Sequence, residues 1–154
     1  MSMVRSQALI HASPHQVWDL VGDPSRHPEW WPRVIEVRGE RYDEGDNYAQ
    51  VTKEPAGKIE TIMSVERLAD MKEINLRCTK TGTYARWLLT EAQGDTFVEV
   101  EFGMQPIRFV DKVMDATLAR PYFQRWISQS LQGLEQAASS REASSGSAAA
   151  KRPA

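Results

Sequence analysis

Residues 109–137 form the longest stretch of helical periodicity in the chain, and no other segment is long enough to be a central helix. A helix of this length spans roughly 40 Å. Its apolar residues form one stripe before Pro121 and another after it, and the two stripes lie roughly 140° apart around the axis. We therefore expect a long C-terminal helix with a kink at Pro121. The first stripe contains Val110, Val113, Met114, Thr117 and Leu118, and the second contains Phe123, Trp126, Ile127, Leu131 and Leu134.

Apolar and polar residues alternate between positions 57 and 104, which predicts four antiparallel strands with one buried face. Within residues 83–92 the alternation alone leaves two candidate buried sets. The buried face elsewhere contains Ile59, Thr61, Met63 and Val65, then Ile74, Leu76 and Cys78, and later Val98, Val100, Phe102 and Met104. The two candidate sets are Ala85, Trp87 and Leu89, or Tyr84, Arg86 and Leu88.

Turn lengths decide between these sets, because directly opposed residues share a face of the sheet. If residues 69–70, 81–82 and 93–94 form two-residue turns, the side chains of Trp87 and Leu89 lie on the buried face. A three- or five-residue loop would place these side chains on the opposite face. The opposed pairs that these turns predict are Val65 with Ile74, Leu76 with Trp87, and Leu89 with Val98.

The N-terminal part adds a strand over residues 4–12, a helix start at Ser13 and Pro14, a second short helix or turn around residues 28–32, and two weakly alternating strands at 33–42 and 48–53. The apolar sheet face needs a cover, and only the C-terminal helix can supply one. The sequence therefore predicts an α+β fold, in which a curved antiparallel sheet of about seven strands wraps around that helix and two short helices follow the first strand.

Composition places this fold in one domain, since 154 residues with 41% hydrophobic and 26% charged content suit a single core. We assign residues 1–137 to the domain, and residues 138–154, which are rich in Ala and Ser, to a disordered tail. A net charge of −2 argues against nucleic-acid binding. The chain has no apolar run for an integral membrane segment and one cysteine, Cys78, so we expect a cytoplasmic protein. The sequence does not predict an oligomeric state.

Three short motifs carry a resemblance to a known family: IHASPHQVW at residues 10–18, Asp23 with Pro24, and PEWWP at residues 28–32. With the order of elements over residues 3–137, they make the chain resemble the START-like superfamily (SRPBCC), in particular its bacterial polyketide cyclase/dehydrase and lipid transport group. The resemblance implies a helix-grip fold. It also implies a deep, largely apolar cavity between sheet and last helix, which members use for lipids, sterols, polyketides, quinones or plant hormones.

Reactive residues give little sign of a fixed reaction centre. His11 and His15 flank the corner between a strand and a helix, so they do not form a metal-binding pair, and we predict no metal. His27 is predicted to be a solvated turn residue, and Glu99 and Glu101 to face solvent. The sequence contains no glycine-rich phosphate loop and no nucleophile in a catalytic motif, so we predict no cofactor and assign no catalytic residue.

Our first hypothesis is a non-enzymatic protein that binds a small hydrophobic or amphipathic ligand between the sheet and the kinked helix. A cyclase or dehydratase that orients a polyketide-like substrate is the alternative, and an interaction module whose cavity is filled by its own side chains is a third possibility. The predicted ligand-binding residues are Thr61, Met63, Leu76, Trp87, Val100, Phe102, Met114, Leu118 and Tyr122, with Trp30 near the entrance.

Overall fold

A computed structural model describes residues 2–105 and 120–150 of the protein. Seven strands form a single antiparallel sheet in the order β1-β7-β6-β5-β4-β3-β2, which confirms the predicted α+β architecture. The strands are β1 (Ser2–Ile10), β2 (Val34–Arg38), β3 (Asn47–Glu54), β4 (Gly57–Ala69), β5 (Glu73–Cys78), β6 (Thr83–Ala92) and β7 (Asp95–Met104). The helices are α1 (Pro14–Val21), a short 3-10 helix (Pro24–Glu29) and the C-terminal α2 (Arg120–Ala150).

The connection between β4 and β5 departs from the predicted register in two ways that offset each other. Its turn has three residues rather than two, since Ala69 pairs with Glu73, and Met71 in the turn has a positive φ of 63°. A β-bulge between Val65 and Arg67 then shifts the register once more. Val65 consequently pairs with Leu76 and not with Ile74. Because one register step reverses the faces and the second restores them, Met63 and Val65 remain on the buried face.

The next two hairpins keep the predicted faces. Leu76 pairs with Ala85 rather than Trp87, and this two-residue slip leaves the faces unchanged because side chains alternate with a period of two. Leu89 pairs with Val98 as predicted. Trp87 and Leu89 therefore point inward, and both are buried.

Helix α2 covers the sheet along β1 and β7 and also contacts α1. Its second predicted stripe is confirmed, because Phe123, Trp126, Ile127, Leu131 and Leu134 are all buried. The helix continues to Ala150 rather than ending at residue 137, and Ala138 is fully buried. Residues 106–119, which carry the first stripe and one side of the predicted kink, lie outside the described residues. The division into a domain and a disordered tail stays a prediction.

An aromatic cluster fills the interior between the short helices, the sheet and α2. We define it as Trp30, Trp31, Trp87, Phe102 and Trp126. Trp31 is its centre: its ring is stacked on the rings of Trp30 and Trp126, with centroid distances of 5.5 Å in both cases, and it also contacts Trp87 and Phe102. Such contacts stabilise beyond the area they bury.

His27 packs against the aromatic cluster, so its predicted place in a solvated turn is wrong. It is 1% exposed, and its Nε2 lies 2.9 Å from the Val21 carbonyl oxygen. Since a carbonyl only accepts, this ring nitrogen carries the proton. Burial lowers the pKa of His27 from 6.5 to about 4, because the cluster disfavours the charged imidazolium.

This lowered pKa predicts a loss of stability in mild acid. An unfolded His27 takes up a proton near pH 6.5 and the folded one only near pH 4, so the free energy of unfolding falls as pH decreases between these values. The full loss from this residue is about 3 kcal/mol. Urea unfolding at pH 7.5, 6 and 5 should show a steeper decline for the wild type than for His27→Gln. His15→Gln, which changes an exposed histidine, should keep the wild-type decline, and a wild-type decline in His27→Gln would contradict the assignment.

Gly133 allows α2 to approach the loop that carries Trp30. A Cβ atom at this position would overlap the Trp30 carbonyl oxygen. We expect Gly133→Ala to destabilise the protein by about 1–2 kcal/mol, because the Trp30 backbone oxygen cannot easily move away from the added methyl group. This loss exceeds the gain of about 1 kcal/mol from the higher helix propensity of alanine. Gln132→Ala, on the exposed side of the same turn, is the control and should change little. The melting temperature of each variant measures the effect, and a higher melting temperature for Gly133→Ala than for the wild type would contradict this packing.

Candidate functional site

The inner face of the sheet, which we define as the face turned toward α2, carries most of the predicted ligand-binding residues. Trp87 and Val100 are direct cross-strand partners on it. The apolar members are 6% exposed or less, so they lie in the interior together with the core. These members are Met63, Leu76, Trp87, Val100 and Phe102.

Trp30 lies inside the aromatic cluster rather than near an entrance. It is 4% exposed, its Nε1 donates to the Leu20 carbonyl at 2.9 Å, and its ring meets Trp87 edge-on at 5.2 Å. Trp87 and Phe102 are therefore packed on one side by other aromatic rings. Whether Trp30 contacts a ligand stays a prediction. Met114 and Leu118 lie outside the described residues.

A row of polar side chains follows β3 along the inner face, and the sequence did not predict it. We define the β3 row as Tyr48, Gln50, Thr52 and Glu54, which occupy alternate positions of one strand. The first three are 8% exposed or less. Among the described residues, neither the Tyr48 hydroxyl nor Gln50 Oε1 has a hydrogen-bond partner. Burial raises the pKa of Tyr48, so its phenol stays protonated and can donate.

Thr61, a predicted ligand-binding residue, extends this row onto β4. It pairs directly with Gln50, and its hydroxyl donates to the Gln50 carbonyl at 3.4 Å. The side chain is half-buried. The structure thus places Thr61 beside the buried polar groups of β3.

Tyr122, another predicted ligand-binding residue, meets the end of the β3 row. Its hydroxyl donates to both carboxylate oxygens of Glu54, at 3.1 and 3.2 Å. The Arg33 guanidinium lies over the Tyr122 ring, 4.6 Å from its centroid. Burial raises the pKa of Tyr122, and Glu54 supports the protonated phenol. We call these three residues the Arg33–Glu54–Tyr122 cluster.

Two further titratable residues of the sequence analysis, His11 and Glu101, make structural contacts. His11 Nδ1 lies 3.1 Å from Glu135 Oε1, which links the end of β1 to α2. Glu99 is exposed on the outer face as predicted. Glu101 lies on the same face, but its side chain is only 12% exposed, since it accepts hydrogen bonds from Arg5 and Tyr84. Within residues 2–105 and 120–150, no group of three or more histidine, cysteine or acidic residues is arranged to hold a metal ion.

A family profile described as polyketide cyclase/dehydrase and lipid transport matches residues 1–139. The chain belongs to this family. No curated protein matches the sequence.

Solved structures share the fold of this polyketide cyclase/dehydrase and lipid transport family member at low sequence identity. The protein XoxI from Bacillus cereus is 20% identical with a TM-score of 0.68, over 92% of this chain and 99% of that one. A START superfamily protein from Mycobacterium smegmatis is 17% identical with a TM-score of 0.66, over 90% and 95%. An AHSA1-like protein from Aeromonas hydrophila is 12% identical with a TM-score of 0.70, over 92% and 95%.

Among the described helices of the chain, none has the length and hydropathy of a membrane span.

Gln50 Oε1 is buried without a hydrogen-bond partner among the described residues, so we expect this oxygen to lower the stability of the protein. Gln50→Met keeps the side-chain length and removes the buried oxygen without a partner, so we expect the free energy of unfolding to rise by about 1 kcal/mol. The matched control is Thr96→Val, since Thr96 is equally buried but donates to the Ala12 carbonyl at 2.9 Å. That change should cost about 1–2 kcal/mol. Equal losses of stability in both variants, measured by urea unfolding, would show that Gln50 Oε1 has a hydrogen-bond partner.

Proposed function

We propose that this protein binds one small hydrophobic or amphipathic molecule, of the lipid, polyketide or quinone class, between the inner face of the sheet and the C-terminal helix. The family assignment supports this proposal, because its description joins polyketide cyclases and dehydrases with lipid transport. The buried apolar residues of β4 to β7 suit the body of such a molecule. We place this function in the cytoplasm, in keeping with the buried, free Cys78.

The β3 row is the observation that carries the proposal. A buried polar atom without a partner costs about 1–3 kcal/mol, and an apolar side chain of similar shape would avoid this cost. Tyr48 and Gln50 nevertheless place two such atoms on one strand, next to Thr61. A ligand with a hydroxyl or carbonyl group would satisfy them, while its apolar body contacts Met63 and Leu76.

A thermal-shift assay with defined probes tests this function. The panel contains decanoate and cholesterol sulfate for the lipid class, a short-chain ubiquinone for the quinone class and 1-naphthol for the polyketide class. Binding at about 100 times the dissociation constant stabilises by roughly 2.7 kcal/mol, which raises the melting temperature of a chain this size by about 5–10 °C. We expect at least one probe to produce such a shift. The absence of a shift with every probe would contradict the proposal.

Two matched substitutions on β4 locate the bound probe. Met63→Trp adds bulk to the inner face, so it should remove most of the shift. Ile62→Trp places the same side chain one residue earlier, on the outer face, where Ile62 is 44% exposed, and should keep the shift. Gln50→Met, which should fold at least as well as the wild type, should also weaken binding. If Met63→Trp retained the full shift, the probe would lie elsewhere.

A further inference from the structure

Arg33 adopts a backbone conformation that arginine rarely takes. Its φ is +75°, in the left-handed region, where a side chain on Cβ meets the backbone. Both sides of the residue are fixed by hydrogen bonds, since the Pro32 carbonyl accepts from Trp126 Nε1 at 2.8 Å and the Arg33 carbonyl accepts from the Lys53 amide at 2.7 Å. The fold thus holds Arg33 in this conformation and directs its guanidinium to the start of α2.

The charge of Arg33 is balanced, yet one of its N–H groups has no acceptor. Its Nη1 lies 3.9 Å from Glu54 Oε2, which is close enough for an ion pair but too long for a hydrogen bond. This nitrogen is buried and has no partner among the described residues. The face of the Tyr122 ring contacts the guanidinium, and the Tyr122 hydroxyl donates a hydrogen bond to Glu54. The cluster as a whole is neutral and offers a buried hydrogen-bond donor.

Glu54 connects this donor to the proposed binding space. It belongs to the β3 row, whose side chains point inward at alternate positions from Tyr48 onward. Gln50 Oε1 is an unpartnered acceptor in this row, and Arg33 Nη1, an unpartnered donor, lies 3.9 Å from Glu54, the last member of the row.

We propose that the Arg33–Glu54–Tyr122 cluster binds the polar end of the ligand and selects an uncharged carbonyl oxygen, as in a ketone or ester, over a carboxylate. This inference rests on the proposed function and names the ligand chemistry of the same site. A carbonyl oxygen accepts the Nη1–H of Arg33 and leaves the ion pair in place. A carboxylate is attracted by Arg33 and repelled by Glu54 at similar distance, so it gains little and still loses its hydration.

Three probes of matched shape test the selection. They are 2-acetylnaphthalene, 2-naphthoate and 2-isopropylnaphthalene, which carry a ketone, a carboxylate and no polar group on the same aromatic body. Isothermal titration calorimetry with the full chain gives their dissociation constants. We expect the wild type to bind the ketone about tenfold more tightly than either of the other two, which corresponds to one hydrogen bond to a charged donor.

Two variants and a control identify the residues responsible. Glu54→Gln removes the repelling charge and keeps an acceptor for Tyr122, so naphthoate binding should strengthen at least about tenfold while ketone binding changes less than about threefold. Arg33→Met keeps the side-chain length without the donor and should make the ketone and the isopropyl probe bind equally. Arg38→Met removes a half-exposed arginine that pairs with Glu36 and Glu60, and should bind all three probes as the wild type does.

The outcomes separate the two levels of the proposal. Binding of none of the three probes to the wild type would overturn the binding function at this site and the selection with it. Equal wild-type binding of the ketone and the isopropyl probe, or an unchanged preference in Glu54→Gln, would overturn the role of the cluster and leave the binding function standing. Circular dichroism of each variant confirms that the comparison is made on folded protein.

Discussion

The packing of Trp31 between the sheet and the C-terminal helix is the interaction on which the rest of the structure depends. Its amide donates to the His27 carbonyl at 2.8 Å, which anchors the residue to the 3-10 helix. Its ring then contacts Trp126 of α2 on one side and Trp87 of the sheet on another. Three separate parts of the chain meet at one side chain. Because protein interiors are close-packed, each part fixes the position of the others.

Two unlike regions adjoin at this packing. In the first, the aromatic cluster is filled by its own rings, as in the interaction-module hypothesis. In the second, β3 turns polar residues inward, Arg33 and Tyr122 meet Glu54, and the Tyr122 ring contacts Trp126 of the aromatic cluster with a centroid distance of 5.9 Å. The aromatic region supplies stability, since large aromatic side chains bury the most apolar area per residue. The polar region supplies groups that the described part of the chain does not fully pair, which is the property expected of a site for another molecule.

Much of the fold could be predicted from sequence, because an error of two residues in the strand register leaves every side chain on the same face of the sheet. Only an error of one residue moves the side chains to the other face. The predicted inward positions of Trp87 and Leu89 hold even though two of the three predicted registers are wrong. A slip of two residues preserves the faces, and the three-residue turn after β4 is offset by the bulge near Val65. Sequence patterns thus determine which face a residue occupies more securely than they determine its partner.

The β3 row escaped prediction because this strand does not follow the usual pattern of apolar residues inside and polar residues outside. Its inward residues, such as Gln50 and Thr52, are more polar than the outward Ala49 and Val51, so hydrophobic alternation assigns the strand weakly or to the wrong face. His27 escaped as well, since its burial depends on the rings of Trp30 and Trp31, whose inward position the sequence did not show. The positive φ of Arg33 escaped because the bonds that hold it come from Lys53 and Trp126, which are distant in sequence. The three solved structures share the fold at 12–20% identity, so very different sequences build this backbone. The strands fix where a side chain points while the side chain's identity decides what it contacts, so the polar character of β3 has to be read from this chain and not from its fold.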